Sequence, residues 1–308
     1  MPAETVDDCG MKKIVTVIVN PISGTKDKES IKRIITETLD AERFTVNVVT
    51  TLYAGHGAEI AVLEKEKHTD VVVAVGGDGT VNEIARALAG SDTAMAIIPC
   101  GSGNGLARHL HIPLDVKKAI DIINKDKVES IDYGAINDHP FFCTCGIGFD
   151  ALVTMDFSKR GTRGLMTYID TTLRDYLRYK PETYTLVTDE EGKQKYKAFL
   201  VAAANASQYG NNAYIAPKAT MQDGLLDIVV MLPFKRIDVP VLTYRLFNRK
   251  IEGSQYFKCF RTKHLTIHRA HSGYAHFDGE PLETGQDIDI RVFPGQLKVV
   301  VPDEIQEI

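Results

Sequence analysis

No apolar run in this 308-residue chain approaches the roughly 20 positions that a membrane-spanning helix needs, and no secretory leader is expected at its start. A disulfide framework is excluded too. The five cysteines, Cys9, Cys100, Cys143, Cys145 and Cys259, are an odd set in a long chain, and Cys143-Thr144-Cys145 lacks the spacing of a zinc knuckle or a thioredoxin-type pair. They read as reduced thiols of a cytoplasmic protein, three of them buried in strands. The nine histidines form no metal-spaced set; His264, His268, His271 and His276 alternate through strand-like text and read as surface or packing residues. A net charge of −5 removes the electrostatic footprint of nucleic-acid binding. Neither the P-loop nor the dinucleotide fingerprint is present, and no internal repeat is found. What remains is a globular composition, 44% hydrophobic and 25% charged, with length enough for two domains. Residues 1–10 are polar and are expected to be a disordered tail.

What the chain has instead is one stretch, 70–88, DVVVAVGGDGTVNEIARAL. Its β-branched run, Val71 to Val75, reads as a buried strand. Gly76-Gly77-Asp78-Gly79 breaks the strand, and a helix follows. Thr80 and Glu83 have the spacing of a capping box, and Val81, Ile84, Ala85 and Leu88 fall on one helical face. A strand, a glycine loop and a helix N-terminus aim backbone N–H groups and the positive end of a helix dipole at whatever enters the loop, which suits phosphate. A phosphate would repel Asp78 unless a cation bridged the two, so Asp78 points to a metal–phosphate site. The same text also fits an ordinary strand-to-helix turn of an α/β protein.

Further strands are expected at 13–19, 44–50 and 94–98, with helices at 29–39, 58–67, 106–110 and 116–124. This β–α order predicts a parallel sheet with helices on both faces. Asn20, Thr51, Asp78 and Ser102 then lie in loops at the carboxyl ends of its strands, where such sheets bind ligands. After about Ser130 the text turns to strand-like runs at 128–136, 141–145, 184–188, 198–204, 226–231, 265–269, 273–277, 287–292 and 297–301, with one helical insertion at 165–179. Short strands with regular turns predict an antiparallel sandwich or barrel. The expected fold class is α/β plus β. A Rossmann-like parallel-sheet domain spans 11–130, and an antiparallel β-sandwich domain spans 131–308. The last strand is free to return to the N-terminal domain, and the active cleft lies between the two.

A second loop, Gly101-Ser102-Gly103-Asn104-Gly105, repeats the phosphate-cradle logic beside the first. V-G-G-D-G-T-V-N-E, followed about twenty residues later by I-P-x-G-S-G-N-x-L-A, resembles the catalytic domain shared by diacylglycerol kinases and sphingosine kinases. Asn20-Pro21-x-Ser23-Gly24 and Thr51-x-x-x-Gly55-His56 resemble that family's first two nucleotide loops. Cys145-Gly146-x-Gly148-x-Asp150, Asp223-Gly224-Leu225-Leu226-Asp227 and Asp278-Gly279-Glu280 resemble its later motifs. The resemblance covers nearly the whole chain. It implies ATP as donor, Mg²⁺ as cofactor and a lipid hydroxyl as acceptor. Carried over by position, nucleotide contacts fall to Asn20, Thr51, Gly76, Gly77, Asp78, Gly79, Thr80, Val81, Asn82 and Ser102. Glu280 becomes the proton acceptor, with Asp78 and Asp278 as catalytic acids that help hold Mg²⁺. A structural magnesium falls to Asp223 with main-chain oxygens of Thr220 and Leu225. Where many bacterial diacylglycerol kinases carry aspartate after G-T-x-N, this chain has Gly105, as in the sphingosine-kinase branch.

On the residues alone, Asp278-Gly279 reads as a hairpin turn; the resemblance makes it catalytic. The expected activity is γ-phosphate transfer from ATP to diacylglycerol, giving phosphatidic acid. A sphingoid base is the alternative acceptor, and an NAD kinase or a non-catalytic nucleotide-binding regulator are the further readings. Lys159, Arg160, Arg163, Arg174, Arg178 and Lys180 form a basic cluster, read either as a solvated helix face or as a contact for anionic headgroups. The expected location is cytoplasmic, peripheral to the inner face of the membrane, with a lipid substrate and no nucleic-acid partner. A homodimer is among the assemblies the sequence allows.

Overall fold

The computed structural model describes residues 12–24, 27–159, 172, 175, 176 and 178–303. The tail at 1–10, most of the helix expected at 165–179, and Arg160, Arg163 and Arg174 of the basic cluster lie outside them.

The first half alternates strand and helix: β1 (Lys13–Val19), α1 (Lys28–Thr38), β2 (Phe44–Thr50), α2 (His56–Glu66), β3 (Val71–Gly76), α3 (Asp78–Leu88), β4 (Ala94–Pro99), α4 (Gly105–His109) and α5 (Val116–Lys125). β1 to β4 pair in parallel in the order β2-β1-β3-β4. β3 and β4 are buried at every position, which is why they are unbroken apolar runs. Val81, Ile84, Ala85 and Leu88 of α3 face the core, as their spacing predicts.

The second half comprises β5 (Val128–Ile136), β6 (His139–Phe141), β7 (Thr144–Gly148), α6 (Phe149–Lys159), β8 (Glu182–Thr188), β9 (Gly192–Ala198), β10 (Leu200–Ala204), β11 (Leu226–Met231), α7 (Val239–Phe247), β12 (Phe257–Thr262), β13 (His264–His268), β14 (Gly273–Phe277), β15 (Glu280–Thr284) and β16 (Asp287–Val300). An antiparallel sheet β12-β11-β10-β7-β14-β15 packs against β5, β8, β13 and β16, with Phe141, Ile147, Leu186, Val201, Ile228, Leu265 and Phe277 between the layers. Its other face is buried beneath α6, α7 and the 205–221 loop.

The text at 287–301 reads as two strands but forms one. Pro294-Gly295 makes a bulge rather than a turn, because Asp132 reaches it: Asp132 Oδ1 accepts the Gly295 N–H at 2.7 Å while Oδ2 accepts that of Gly224 at 2.7 Å. The joined strand pairs antiparallel with β5 and β13, and its end pairs parallel with β4 at Val299–Met95. One sheet thus runs through both halves and holds the N-terminal loops against the second layer.

Candidate active site

In the order β2-β1-β3-β4 the winding reverses between β1 and β3, and α/β sheets take ligands in the crevice opened there. Asn20 crosses it, its Nδ2 donating to Thr80 Oγ1 at 2.8 Å. Gly24, at φ +62°, lets the loop after β1 fold onto the loop after β4; a Cβ there would stand 1.8 Å from Cys100 O. The two glycine loops touch through bare backbone, a Cβ on Gly101 falling 2.6 Å from Gly77 Cα.

Asp78 ties these loops together. Its Oδ2 accepts the Asn104 N–H at 2.9 Å and its Oδ1 that of Gly105 at 2.7 Å. Only a glycine fits at position 103, where a Cβ would lie 2.6 Å from Asp78 Oδ2. Asn104, the N-cap of α4, turns its side chain back onto Gly101 instead of capping its own helix, so α3 supplies the missing carboxylate. Glu83 does the same for α2, whose N-cap is Gly55: its Oε1 accepts the Ala58 N–H at 3.0 Å. The Thr80–Glu83 capping box is therefore not made. Both partners are taken by other elements, and α3 starts at Asp78 with Gly77 as an N-cap that carries no side-chain acceptor. Asp27, Glu83, Asp78 and Asp115 cap α1, α2, α4 and α5; the N-terminus of α3 faces the crevice without such a group.

Thr51 closes β2, its N–H on Val19 O at 2.9 Å. Ser102 is exposed on the second glycine loop. Gly76 makes room for the Thr80 side chain, and Gly79 faces open space. Val81 and Asn82 lie behind the loop, 5% and 3% exposed, with the Val81 N–H held by Gly77 O at 3.0 Å.

The β14–β15 hairpin brings the acidic motif. Asp278 and Gly279, at φ +49° and +80°, are its two turn residues, the type I′ pattern. The Asp278 carboxylate is turned inward. Oδ2 accepts the Phe142 N–H at 2.6 Å, and Oδ1 those of Cys143 and Thr144 at 2.8 and 2.9 Å. Burial pushes this carboxyl up to about 6 against the pull of the three donors. Glu280 is part-exposed and paired at two points with Arg86 of α3, Nη2–Oε1 at 2.9 Å and Nη1–Oε2 at 3.3 Å. Arg86 also lies over the Phe277 ring at 4.9 Å. It sits two turns along α3 from Asp78, about 12 Å of helix rise. The buried Cys143 thiol is pushed well up by burial, by Asp278 and by Asp78, and so is poorly suited to nucleophilic work.

A third cluster adjoins the second glycine loop. Asp150, in the first turn of α6, accepts the Ala151 N–H on Oδ1 at 2.8 Å; its Oδ2 accepts from Tyr209 Oη at 3.1 Å and lies 3.0 Å from His276 Nε2. His276 is 2% exposed, and its Nδ1 has no hydrogen-bond partner among the described residues. Of the two readings of His276, surface or packing, burial excludes the surface one. Tyr209 O in turn abuts Gly105, 3.3 Å from where a Cβ would stand.

At 220–227 the fit to a metal is poor. Asp223 Oδ1 accepts the Leu225 N–H at 3.0 Å, and Arg261 stands 3.5 Å from Asp223 and 3.2 Å from Asp227. The chain's own guanidinium already answers both carboxylates, Thr220 is exposed, and no step is assigned to a metal there. Among the described residues no three His, Cys, Asp or Glu side chains group as a metal site. Asp78 is different. Each of its oxygens has one N–H donor and keeps a lone pair, which fits a magnesium ion that takes its other ligands from phosphate and water.

Residues 14–136 match the model of the diacylglycerol kinase catalytic domain, and residues 144–301 match the YegS C-terminal NAD kinase beta sandwich-like domain. A protein of Mycobacterium tuberculosis (strain CDC 1551 / Oshkosh) named "Diacylglycerol kinase" is 32% identical over 247 residues, 77% of this chain and 78% of its own length. The chain belongs to the diacylglycerol kinase–YegS family of lipid kinases. A protein of Pseudomonas aeruginosa (strain UCBPP-PA14), "Probable lipid kinase YegS-like", is 30% identical over 236 residues, 75% of this chain and 76% of its own. The crystal structure of a diacylglycerol kinase from Bacillus anthracis str. Sterne has the same fold, with a TM-score of 0.74 at 20% identity, covering 95% of this chain and 97% of that one.

This lipid kinase is an ATP-dependent phosphotransferase with an alcohol acceptor. Three residues that meet the motif carboxylates were not singled out in the sequence: Arg86 on Glu280, and Tyr209 and His276 on Asp150. Arg86 carries no local signal, because it is one more cation on a helix. His276 had a weak one, since it alternates with the core residues Ala275 and Phe277 and so had to face the opposite side of β14.

Proposed function

We propose that this lipid kinase transfers the γ-phosphate of ATP to the free hydroxyl of diacylglycerol, giving phosphatidic acid, at the inner face of the cytoplasmic membrane. The observation that carries the reading is the pairing of Glu280 with Arg86, which brings the acidic hairpin to the helix whose uncapped N-terminus opens on the crevice. The triphosphate lies against the backbone of Gly76–Thr80 and the Gly101–Gly105 loop, with Asn20 and Thr51 at its flank. Asp78 would hold the divalent cation, which would supply positive charge to the phosphates. The acceptor oxygen attacks the γ-phosphorus in line, its proton passes to a Glu280 carboxylate oxygen, and ADP leaves. Catalysis is by position and fixed charge, with Arg86 orienting the base.

With Asp150 taken as the carboxylate that faces the acceptor headgroup, a neutral acceptor is favoured. Its Oδ2 is shared between Tyr209 and His276, which leaves only the remaining lone pair of Oδ1, beside the Ala151 N–H, to meet a sphingoid ammonium. A sphingoid base remains the second reading, favoured by Gly105 where bacterial diacylglycerol kinases carry aspartate. Transfer of labelled phosphate from ATP to diacylglycerol, sphinganine and ceramide, each presented separately, tests both. Diacylglycerol is expected to be the preferred acceptor, and a preference for sphinganine overturns that choice.

A further inference from the structure

The helix α7 is apolar on both sides. Leu242 is its one buried residue, set with Leu246 against the core that covers the antiparallel sheet. On the outer side Ile237, in the 3₁₀ turn Arg236–Asp238 that leads into the helix, and Val241, Tyr244 and Phe247 are 81%, 54%, 57% and 45% exposed. Their spacing of four, three and three residues forms one continuous stripe. A helix on a protein surface ordinarily turns its polar side outward, and exposed apolar residues are unremarkable when scattered; these four are aligned.

The rim of the stripe is basic. Lys235, Arg236, Arg245, Arg249 and Lys250 stand against the single carboxylate of Asp238, five charges less one, in a chain whose net charge is −5. Asp238 is itself engaged, accepting from Tyr256 Oη at 2.8 Å. Lys235, Arg236, Arg249 and Lys250 are exposed. Apolar side chains flanked by lysine and arginine are the pattern of a helix lying in the plane of a membrane interface. A second copy of the chain is a poorer occupant, because a two-fold contact would set one net-positive face against another.

We propose that the outer face of 235–250, centred on α7, is the surface this protein lays on an anionic bilayer. Ile237, Val241, Tyr244 and Phe247 enter the headgroup boundary, and the flanking cations meet lipid phosphates. Beneath the helix a seam of rings leads inward. Tyr256 lies 6.0 Å from Phe234, Phe234 lies 4.6 Å from Phe199, and Phe199 lies 4.5 Å from Phe149, the neighbour of Asp150. Packed rings therefore join the docking face to the neighbourhood of Asp150, along which we infer that the acceptor's acyl chains approach. The path rests on the acceptor reading above; the docking face does not.

The test is flotation of the full chain with phosphatidylcholine vesicles, with and without phosphatidylglycerol. Binding is expected to need phosphatidylglycerol and to weaken as salt is raised. Val241→Glu with Tyr244→Glu, and separately Lys235→Glu with Arg236→Glu, are each expected to lower binding about tenfold with an unchanged melting temperature, since these side chains are exposed. Arg178→Glu with Lys180→Glu, in the other basic region, is expected to leave binding largely intact. The proposal is overturned if the wild-type chain does not float with anionic vesicles, or if the α7 variants bind as well as it does. It is also overturned if wild-type stays off vesicles and the variants only turn a dimer into a monomer. Phosphate transfer to a dispersed short-chain diacylglycerol, measured in parallel, keeps a failure of the acceptor reading separate from a failure of docking.

Discussion

Arg86 and Glu280 are 194 residues apart in the chain and meet at two points, 2.9 and 3.3 Å. The first belongs to the helix that opens on the nucleotide crevice, the second to the hairpin from the other layer. A two-point guanidinium–carboxylate pair fixes direction as well as distance, so Glu280 is held in one orientation relative to α3.

Glu280→Gln is expected to abolish phosphate transfer while ATP binding persists, because the amide keeps a contact for Arg86 but takes up no proton. Arg86→Ala is expected to lower kcat by about a hundredfold, the scale of a displaced proton acceptor. Near-normal turnover in the Gln variant, with ATP affinity measured by calorimetry alongside, would reject Glu280 as the base.

Asp78 is expected to matter for stability as well as turnover. Asp78→Ala leaves the Asn104 and Gly105 N–H groups without acceptors, at about 1–3 kcal/mol for such a lost partner. Gly103→Ala pushes a Cβ to 2.6 Å from Asp78 Oδ2 and strains the same contact from the opposite side. Both variants should melt earlier and bind ATP more weakly. An unchanged melting curve in both would mean that the two loops are held by something else.

His109 provides a pH signature. Its Nδ1 accepts the Ser207 N–H at 3.1 Å, and burial, with His111 and Arg249 nearby, brings it down to about 4. The neutral ring contributes stability above pH 6.5. As pH falls from about 6.5 to 4 the unfolded chain takes a proton that the folded one refuses, and that contribution is lost. Asp278 has the opposite sign: raised to about 6, its contribution is complete below the unfolded carboxyl value of 3.8 and is lost as pH rises through 6. His109→Asn keeps an acceptor for Ser207 and removes the histidine term. Its melting temperature should fall less than that of the wild type between pH 7 and pH 5.

His276→Ala removes one of the two partners of Asp150 Oδ2, leaving Tyr209, and opens that oxygen to a cationic headgroup. The ratio of sphinganine to diacylglycerol phosphorylation is expected to rise about tenfold, the equivalent of about 1.4 kcal/mol, and His276→Gln, which restores a donor, should return most of it. Equal ratios in all three proteins would separate His276 from acceptor choice.

Which parts of this protein are legible in the sequence follows from how far each interaction reaches. Strands β3 and β4 are readable because a parallel strand buried on both faces must be an unbroken apolar run, and the glycine loops are readable because close backbone approach is a local demand on residue type. Several elements escaped, α6, β6, β12 and β15 among them, and for two others the converse reason is plain. The strand β9, GKQKYKA, is an exposed edge whose lysines discourage further pairing, and α7 carries its apolar stripe on the wrong side. The family, too, is written in short motifs.

The destinations of the carboxylates are not written there. Asp78 and Glu83 look like parts of one helix start, yet they cap α4 and α2. Asp278 has the text of a solvent-facing turn, yet it folds back onto 142–144, and Glu280 finds Arg86. A side chain's partner is chosen by which elements pack together, and sequence spacing reports only the partners within one turn or one pleat. The chain's own order of residues determined the sheet, the loops and the chemistry on offer. Packing of the second layer on the first decided which acids cap neighbouring elements and which one meets Arg86.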